Sequence, residues 1–217
     1  MFLYMIQTVS IIILLVSILL ALLLSYVDKA KDRNHHPTDI SFIIPCYNDG
    51  HVLPTAVKSI SSLDCRQKQI LVIDDASTDD TADNIQELEQ DYDIETYKNQ
   101  MNLGKAETLN KAAKHADHDV IFFVDADVTA NQEALDDALA RLQKEGVGGV
   151  SCPYDPKGKS FFSVMQRLEY NMLSLIQGAY NVFSAIAMWG GFLGVKKQAF
   201  KESEGFKQHR LTEDMDM

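Results

Sequence analysis

The 217-residue chain predicts an α/β fold, a mostly parallel central sheet flanked by helices. Three observations carry that expectation. Short apolar runs alternate with helical patterns, as βαβ units do. The runs are continuously apolar, as strands covered on both faces must be. Several end in clusters of polar residues, and in such sheets ligands bind beyond the carboxyl ends of the strands.

The elements follow in order. The stretch "FLYMIQTVSIIILLVSILLALLLSYV", residues 2–27, holds no charged side chain. A helix of ~20 residues crosses a bilayer, so this run predicts a transmembrane anchor over 1–27. No Lys or Arg precedes it, which argues against a cleaved signal peptide. Lys29, Lys31 and Arg33 follow at once. The positive-inside bias therefore expects the N-terminus outside and the rest of the chain on the cytoplasmic face of the cell membrane. Residues 28–39, including His35 and His36, are polar, unpatterned and read as a linker.

From residue 40 onward the alternation begins, and 40–217 is expected to form one domain. "ISFIIPCYN" (40–48) reads as a strand and Val52 to Leu63 as a helix. "QILVIDDAS" (69–77) is a second strand, followed by helical "TDDTADNIQELEQ". "IETYKN" (94–99) is a weaker strand, and "GKAETLNKAAKHA" has strong helix formers. "DVIFFVDAD" (119–127) and "NQEALDDALARLQKE" repeat the pair. "FFSVMQRLEYNMLSLIQGAYNVF" (161–183) predicts a long helix, its stripe of Phe161, Met165, Leu168, Met172 and Leu175 facing the core or a membrane surface. In "MWGGFLGVKKQAF" (188–200) three glycines after Trp189 suggest a bend.

Charge and cysteines exclude several function classes. All 20 Lys and Arg and all 31 Asp and Glu follow residue 27, giving a net charge of −11 with no basic stripe. Nucleic acid is therefore not an expected partner. Cys46, Cys65 and Cys152 have no C-x-x-C spacing and read as small apolar filler in a reducing compartment.

The chemistry is expected at the strand ends. The first closes in Pro45-Cys46-Tyr47-Asn48, the second in Asp74-Asp75-Ala76-Ser77, the fourth in Asp125-Ala126-Asp127. On a continued strand Asp125 and Asp127 share one face, whereas Asp74 and Asp75 diverge, so that one of the latter faces the pocket. Converging carboxylates repel unless a cation joins them, and a hard divalent ion, Mg²⁺ or Mn²⁺, suits two oxygens. Asp79 and Asp80 fit a first helical turn. Lys105 begins a helix, where a cation opposes the dipole by ~0.3–1 kcal/mol, so it answers an anion there or stands in solvent.

Read in order, "SFIIPCYNDG", "VIDDASTDDT", "NLGKAETLN", "FFVDAD" and "LTEDMDM" resemble the family-2 glycosyltransferases. Within them they are most similar to membrane-bound processive synthases of β-linked polysaccharides, such as poly-N-acetylglucosamine, hyaluronan and chitin synthases. The resemblance covers residues 40–217 and implies a GT-A fold, a UDP-sugar donor (GlcNAc by resemblance) and inverting transfer to a growing polysaccharide. It places Pro45, Tyr47 and Asp75 at the uracil and ribose, Lys105 near the nucleotide, and Asp125 by the ribose and diphosphate. It makes Asp127 the metal ligand, Asp214 the catalytic base, and Trp189, Gly190 and Glu213 acceptor-side residues. Membrane lipid and further membrane subunits of a synthase are implied partners. Those synthases also carry a Gln-x-x-Arg-Trp motif and more membrane helices after the TED segment. Neither follows Asp214 here, so the expectation is a C-terminally incomplete domain, inactive alone. Two alternatives stay open: a non-processive transferase acting on a lipid carrier, or a nucleotide-binding fragment or partner module. A receiver-like phosphoacceptor domain also gathers aspartates at strand ends.

Overall fold

The computed structural model describes residues 38–152, 160–180 and 191–207, with positions 16, 156 and 158. The chain divides into two compact units, Met1–Asp32 with Pro153–Ile186 and Arg33–Cys152 with Ala187–Met217.

The second unit holds the sheet. Its strands are β1 (Asp39–Cys46), β2 (Gln67–Asp74), β3 (Glu95–Lys98), β4 (Val120–Val124), β5 (Gly149–Ser151) and β6 (Phe192–Lys196). Its helices are α1 (Leu53–Ser61), α2 (Thr81–Asp91), α3 (Lys105–Ala112), α4 (Gln132–Leu142) and a short one, Lys197–Glu202, which is α6 in chain order. The helix α5 (Phe161–Tyr180) belongs to the first unit.

The strand order is β3-β2-β1-β4-β6-β5. β1 pairs in parallel with β2 and β4, and β2 with β3, whereas β6 runs antiparallel to both β4 and β5. A receiver domain has the order 2-1-3-4-5 in an all-parallel sheet, so that alternative is excluded.

The uninterrupted apolar strands are explained by helices on both faces. Phe42, Ile44, Val72, Phe122 and Val124 point to a core closed by Val57 and Ile60 of α1, Ile85 of α2 and Leu135 and Leu139 of α4. Their neighbours Ile43, Leu71, Ile73, Ile121 and Phe123 point the other way, onto Leu109 and Ala112 of α3, Phe200 of α6 and Phe206. Each such side chain, fully buried, contributes about 1.5–3 kcal/mol. At the amino edge of the sheet, fully buried Ser41 donates to Gln69 Oε1 at 2.7 Å. Gln69 Nε2 donates in turn to Glu95 and Asp117 at 2.9 and 3.1 Å. This network pins the edge remote from the polar strand ends.

Several sequence expectations need correction. β1 and β2 end inside their polar clusters, at Cys46 and Asp74, whereas β4 stops at Val124, just short of Asp125. Asp125 and Asp127 lie in a turn closed by Val128 N donating to Asp125 O at 3.0 Å, so the period-two rule does not govern them. The stretch after Trp189 is not a bend but β6: Gly194 lies directly under Phe122, which a Cβ there would approach to 2.7 Å. The α5 stripe is not core: Phe161, Met165, Leu168 and Met172 are 49–73% exposed. Periodicity reports which side of a helix is apolar and not what covers it. Among the described residues no helix is long and apolar enough to cross a membrane. The expected anchor, 1–27, lies outside the described residues except for Val16, and so does most of the linker.

Candidate functional site

Neighbouring strands β2, β1 and β4 deliver their carboxyl ends to one edge of the sheet. On β1, Pro45 lies past the last residue paired with β4, Ile43, where its missing N–H leaves no β4 ladder bond unmade. The strand then turns sharply. Tyr47 N donates to Asp49 Oδ2 at 3.0 Å, and Asn48 takes a left-handed φ of 58°. Asn48 N donates to Ser77 Oγ at 3.0 Å and Asn48 Oδ1 accepts from Thr78 N at 2.9 Å. These bonds tie the β1 and β2 loops together and leave the Tyr47 ring 45% exposed.

On β2 the adjacent aspartates do diverge, and both are buried. Asp74 Oδ1 accepts from Ser77 N at 2.7 Å. Its Oδ2 lies 2.9 Å from Lys98 Nζ, an approach held by charge without the angle of a directed hydrogen bond. Burial pushes the Asp74 carboxyl upward, but the Ser77 hydroxyl and amide and the Lys98 ammonium outweigh it, and the net direction is downward. Asp75 reaches instead to the loop before α3. Its Oδ1 accepts from Asn99 Nδ2 at 2.8 Å and Leu103 N at 2.9 Å, and its Oδ2 from Gly104 N at 2.9 Å. Ala76 follows with φ 62°, so the β2 end, like that of β1, holds a non-glycine residue in the left-handed region. Such residues cost ~1–3 kcal/mol and cluster at functional sites.

The loop held by Asp75 ends at Gly104, φ 81°, and α3 starts on Lys105. Lys105 Nζ lies 2.9 Å from Asp125 Oδ1. The two residues were singled out separately in the sequence, and the anion that Lys105 answers here is a carboxylate of the protein. Asp125 N donates to Gly191 O at 3.1 Å, which fixes the turn. Asp127, two residues on, is exposed. Asp79 is exposed and bonds two residues ahead: the Thr81 hydroxyl, at 2.5 Å, draws its carboxyl down, assisted by the Thr81 amide. Asp79 and Asp80 precede α2, which begins at Thr81, rather than filling its first turn, and Asp80 at the N-cap makes no side-chain cap bond.

Trp189, Gly190, Glu213 and Asp214 lie outside the described residues. The three cysteines are unpaired. Burial pushes the Cys46 and Cys152 thiols up to about 12, as befits filler. Asn99, which the sequence reading passed over, is 4% exposed and touches Asp75 directly. Its signal was a polar residue closing the β3 run, as at the other strand ends.

Among the described residues no three His, Cys, Asp or Glu side chains gather as a metal cage. One exposed carboxylate at Asp127, with Asp125 beside it on Lys105, fits a different donor set. Mg²⁺ and similar ions keep several waters and are held by one or two carboxylates plus substrate phosphates. The residues present suit an ion that arrives with a diphosphate.

Residues 41–203 match Glycosyl transferase family 2. The poly-β-1,6-N-acetyl-D-glucosamine synthase of Staphylococcus epidermidis is 28% identical over 189 residues, 85% of this chain and 46% of that protein. The enzyme of the same name from Staphylococcus aureus (strain COL) is 27% identical over 180 residues, 81% and 44% respectively. The chain thus spans just under half the length of these curated relatives. The mannosyltransferase PcManGT from Pyrobaculum calidifontis, solved with GDP-Man and Mn²⁺, superposes with a TM-score of 0.69 at 20% identity, covering 90% of this chain and 57% of that one. Staphylococcus aureus TarS 1–349 in complex with UDP-GlcNAc gives 0.57 at 18% identity, covering 78% and 48%. These two likenesses establish the fold.

Proposed function

This chain belongs to glycosyl transferase family 2, and on that premise we propose that it is the donor-binding domain of a membrane-anchored, inverting transferase that moves GlcNAc from a UDP-sugar onto a growing β-linked polysaccharide. The observation that carries the reading is the Lys105–Asp125 pair, 2.9 Å apart, at the sheet edge that also holds Tyr47, Asp75 and Asp127. The sugar is taken from the likeness to the poly-β-1,6-N-acetyl-D-glucosamine synthases. The membrane setting is supported by the uncharged run at 2–27 and the basic residues after it, with the domain on the cytoplasmic side.

The roles are carried over from the resemblance to family 2, and the chemistry is consistent with them. The exposed ring of Tyr47 offers a stacking face to the base, and Pro45 stiffens the strand behind it. Asp75 accepts a hydrogen bond from the nucleoside. Lys105 leaves Asp125 for the diphosphate, freeing Asp125 for the ribose end. Asp127 ligates Mg²⁺ or Mn²⁺, and the ion, when bound, stabilises charge on the departing diphosphate. Asp214 accepts the proton of the acceptor hydroxyl as that oxygen bonds to the anomeric carbon and the bond to UDP breaks. The resemblance assigns Trp189, Gly190 and Glu213 to the acceptor side.

Donor choice and transfer test the reading together. UDP-GlcNAc is expected to displace bound UDP from the protein, and GDP-mannose is not. Membranes containing the protein and its synthase partners should build labelled GlcNAc into a large product, and Asp214→Asn should stop transfer while UDP still binds. Preference for GDP-mannose, or a product only one sugar longer than a lipid acceptor, would replace this assignment.

A further inference from the structure

We propose that Asn99 is a positioning residue that sets nucleobase choice through Asp75; the inference rests on the donor reading above. A carboxylate offers about four lone-pair positions. Protein donors take three of those on Asp75: Asn99 Nδ2 and Leu103 N on Oδ1, Gly104 N on Oδ2. Asp75 is 4% exposed. Among the described residues that leaves a single acceptor position, on Oδ2. An acceptor there meets a base that presents a ring N–H, as uracil does at N3. Cytosine presents a lone pair at the same place and is repelled. A site built to hydrogen-bond a group rejects the analogue lacking it far more strongly than an apolar pocket rejects a change of size.

This selectivity depends on Oδ1 being closed, and Asn99 closes it. The Asn99 backbone N donates to Asp74 O at 2.8 Å, which fixes the residue against β2. Its amide orientation is set from behind. Lys111 Nζ donates to Asn99 Oδ1 at 2.8 Å, and an ammonium can only donate, so Nδ2 must face Asp75 and Thr108 Oγ1, at 2.8 and 3.0 Å. Thr108 is fully buried and Asn99 nearly so. Without Asn99, Oδ1 becomes a vacant acceptor that the exocyclic amino group of cytosine can fill, and Asp75 is free to turn.

The test is calorimetric binding of UDP and of CDP, at one Mn²⁺ concentration, to the full chain and to Asn99→Ala, Lys111→Met and Lys111→Arg, with the melting temperature of each. The original chain is expected to prefer UDP. The preference should fall about tenfold in Asn99→Ala, in keeping with the loss of one hydrogen bond to a charged group. It should fall less in Lys111→Met and return in Lys111→Arg. Should Asn99→Ala fail to fold, the two Lys111 variants decide. A lower melting temperature with an unchanged UDP-to-CDP ratio would make the role structural and overturn the inference. Equal affinity of the original chain for UDP and CDP would overturn it while leaving the donor reading intact, and binding of neither would remove both.

Discussion

Asp74 and Asp75 show how one letter repeated in a sequence becomes two different devices. Asp74 closes its own turn through Ser77 and draws in Lys98, while Asp75 reaches 28 and 29 residues ahead to hold the loop that delivers Lys105. Because the folded pKa of Asp74 is lowered, its stabilisation is present above the ordinary carboxylate value of 3.8 and disappears as pH falls through the folded value. Asp74→Asn should therefore cost about 1–2 kcal/mol in urea unfolding at pH 7. The difference from the original chain should close below pH 3.8. A difference that does not change with pH would remove the ion pair from the account. The strand-end letters were legible because buried strands rarely terminate in adjacent acids. Their partners were not, since Asn99, Leu103 and Gly104 meet Asp75 only through the tertiary fold.

Among the elements, the parallel strands and the helices between them could be read from composition, since each is a continuous apolar run or a strong periodic one. β5 and β6 could not. β5 is three residues long, and β6 contains Gly194 and follows two more glycines, so propensity pointed to a turn. Its reason for being a strand is long-range: Val195 and Leu193 pair with Ile121 and Phe123, and Gly194 makes room for the Phe122 ring. Phe122 is wedged between Phe42 and Phe192, with ring centres 5.6 and 4.9 Å away, and has nowhere to move. Gly194→Ala should destabilise the fold by about 1–3 kcal/mol through overpacking, measured by chemical denaturation. A neutral result would show that β6 yields. The α5 stripe teaches the converse lesson, for its period was legible and its exposure was not.

For the whole molecule, a chain of net charge −11 needs local positive charge if it is to take up a nucleoside diphosphate as proposed. Lys105 supplies one unit and already spends it on Asp125. On the proposed reading the balance falls to an ion at Asp127, which makes metal dependence the central claim. The fold and the strand ends that gather into the candidate site were legible because they are local features repeated along the chain; the proposed acceptor side and membrane setting rest on residues beyond those described. The most direct measurement is calorimetric titration of UDP into the full chain and Asp127→Ala, each with and without Mn²⁺. The account predicts that Mn²⁺ tightens UDP binding to the original chain about tenfold or more and leaves Asp127→Ala unchanged, a coupling of ~1.4 kcal/mol. Equal UDP affinity with and without the ion in the original chain would contradict it.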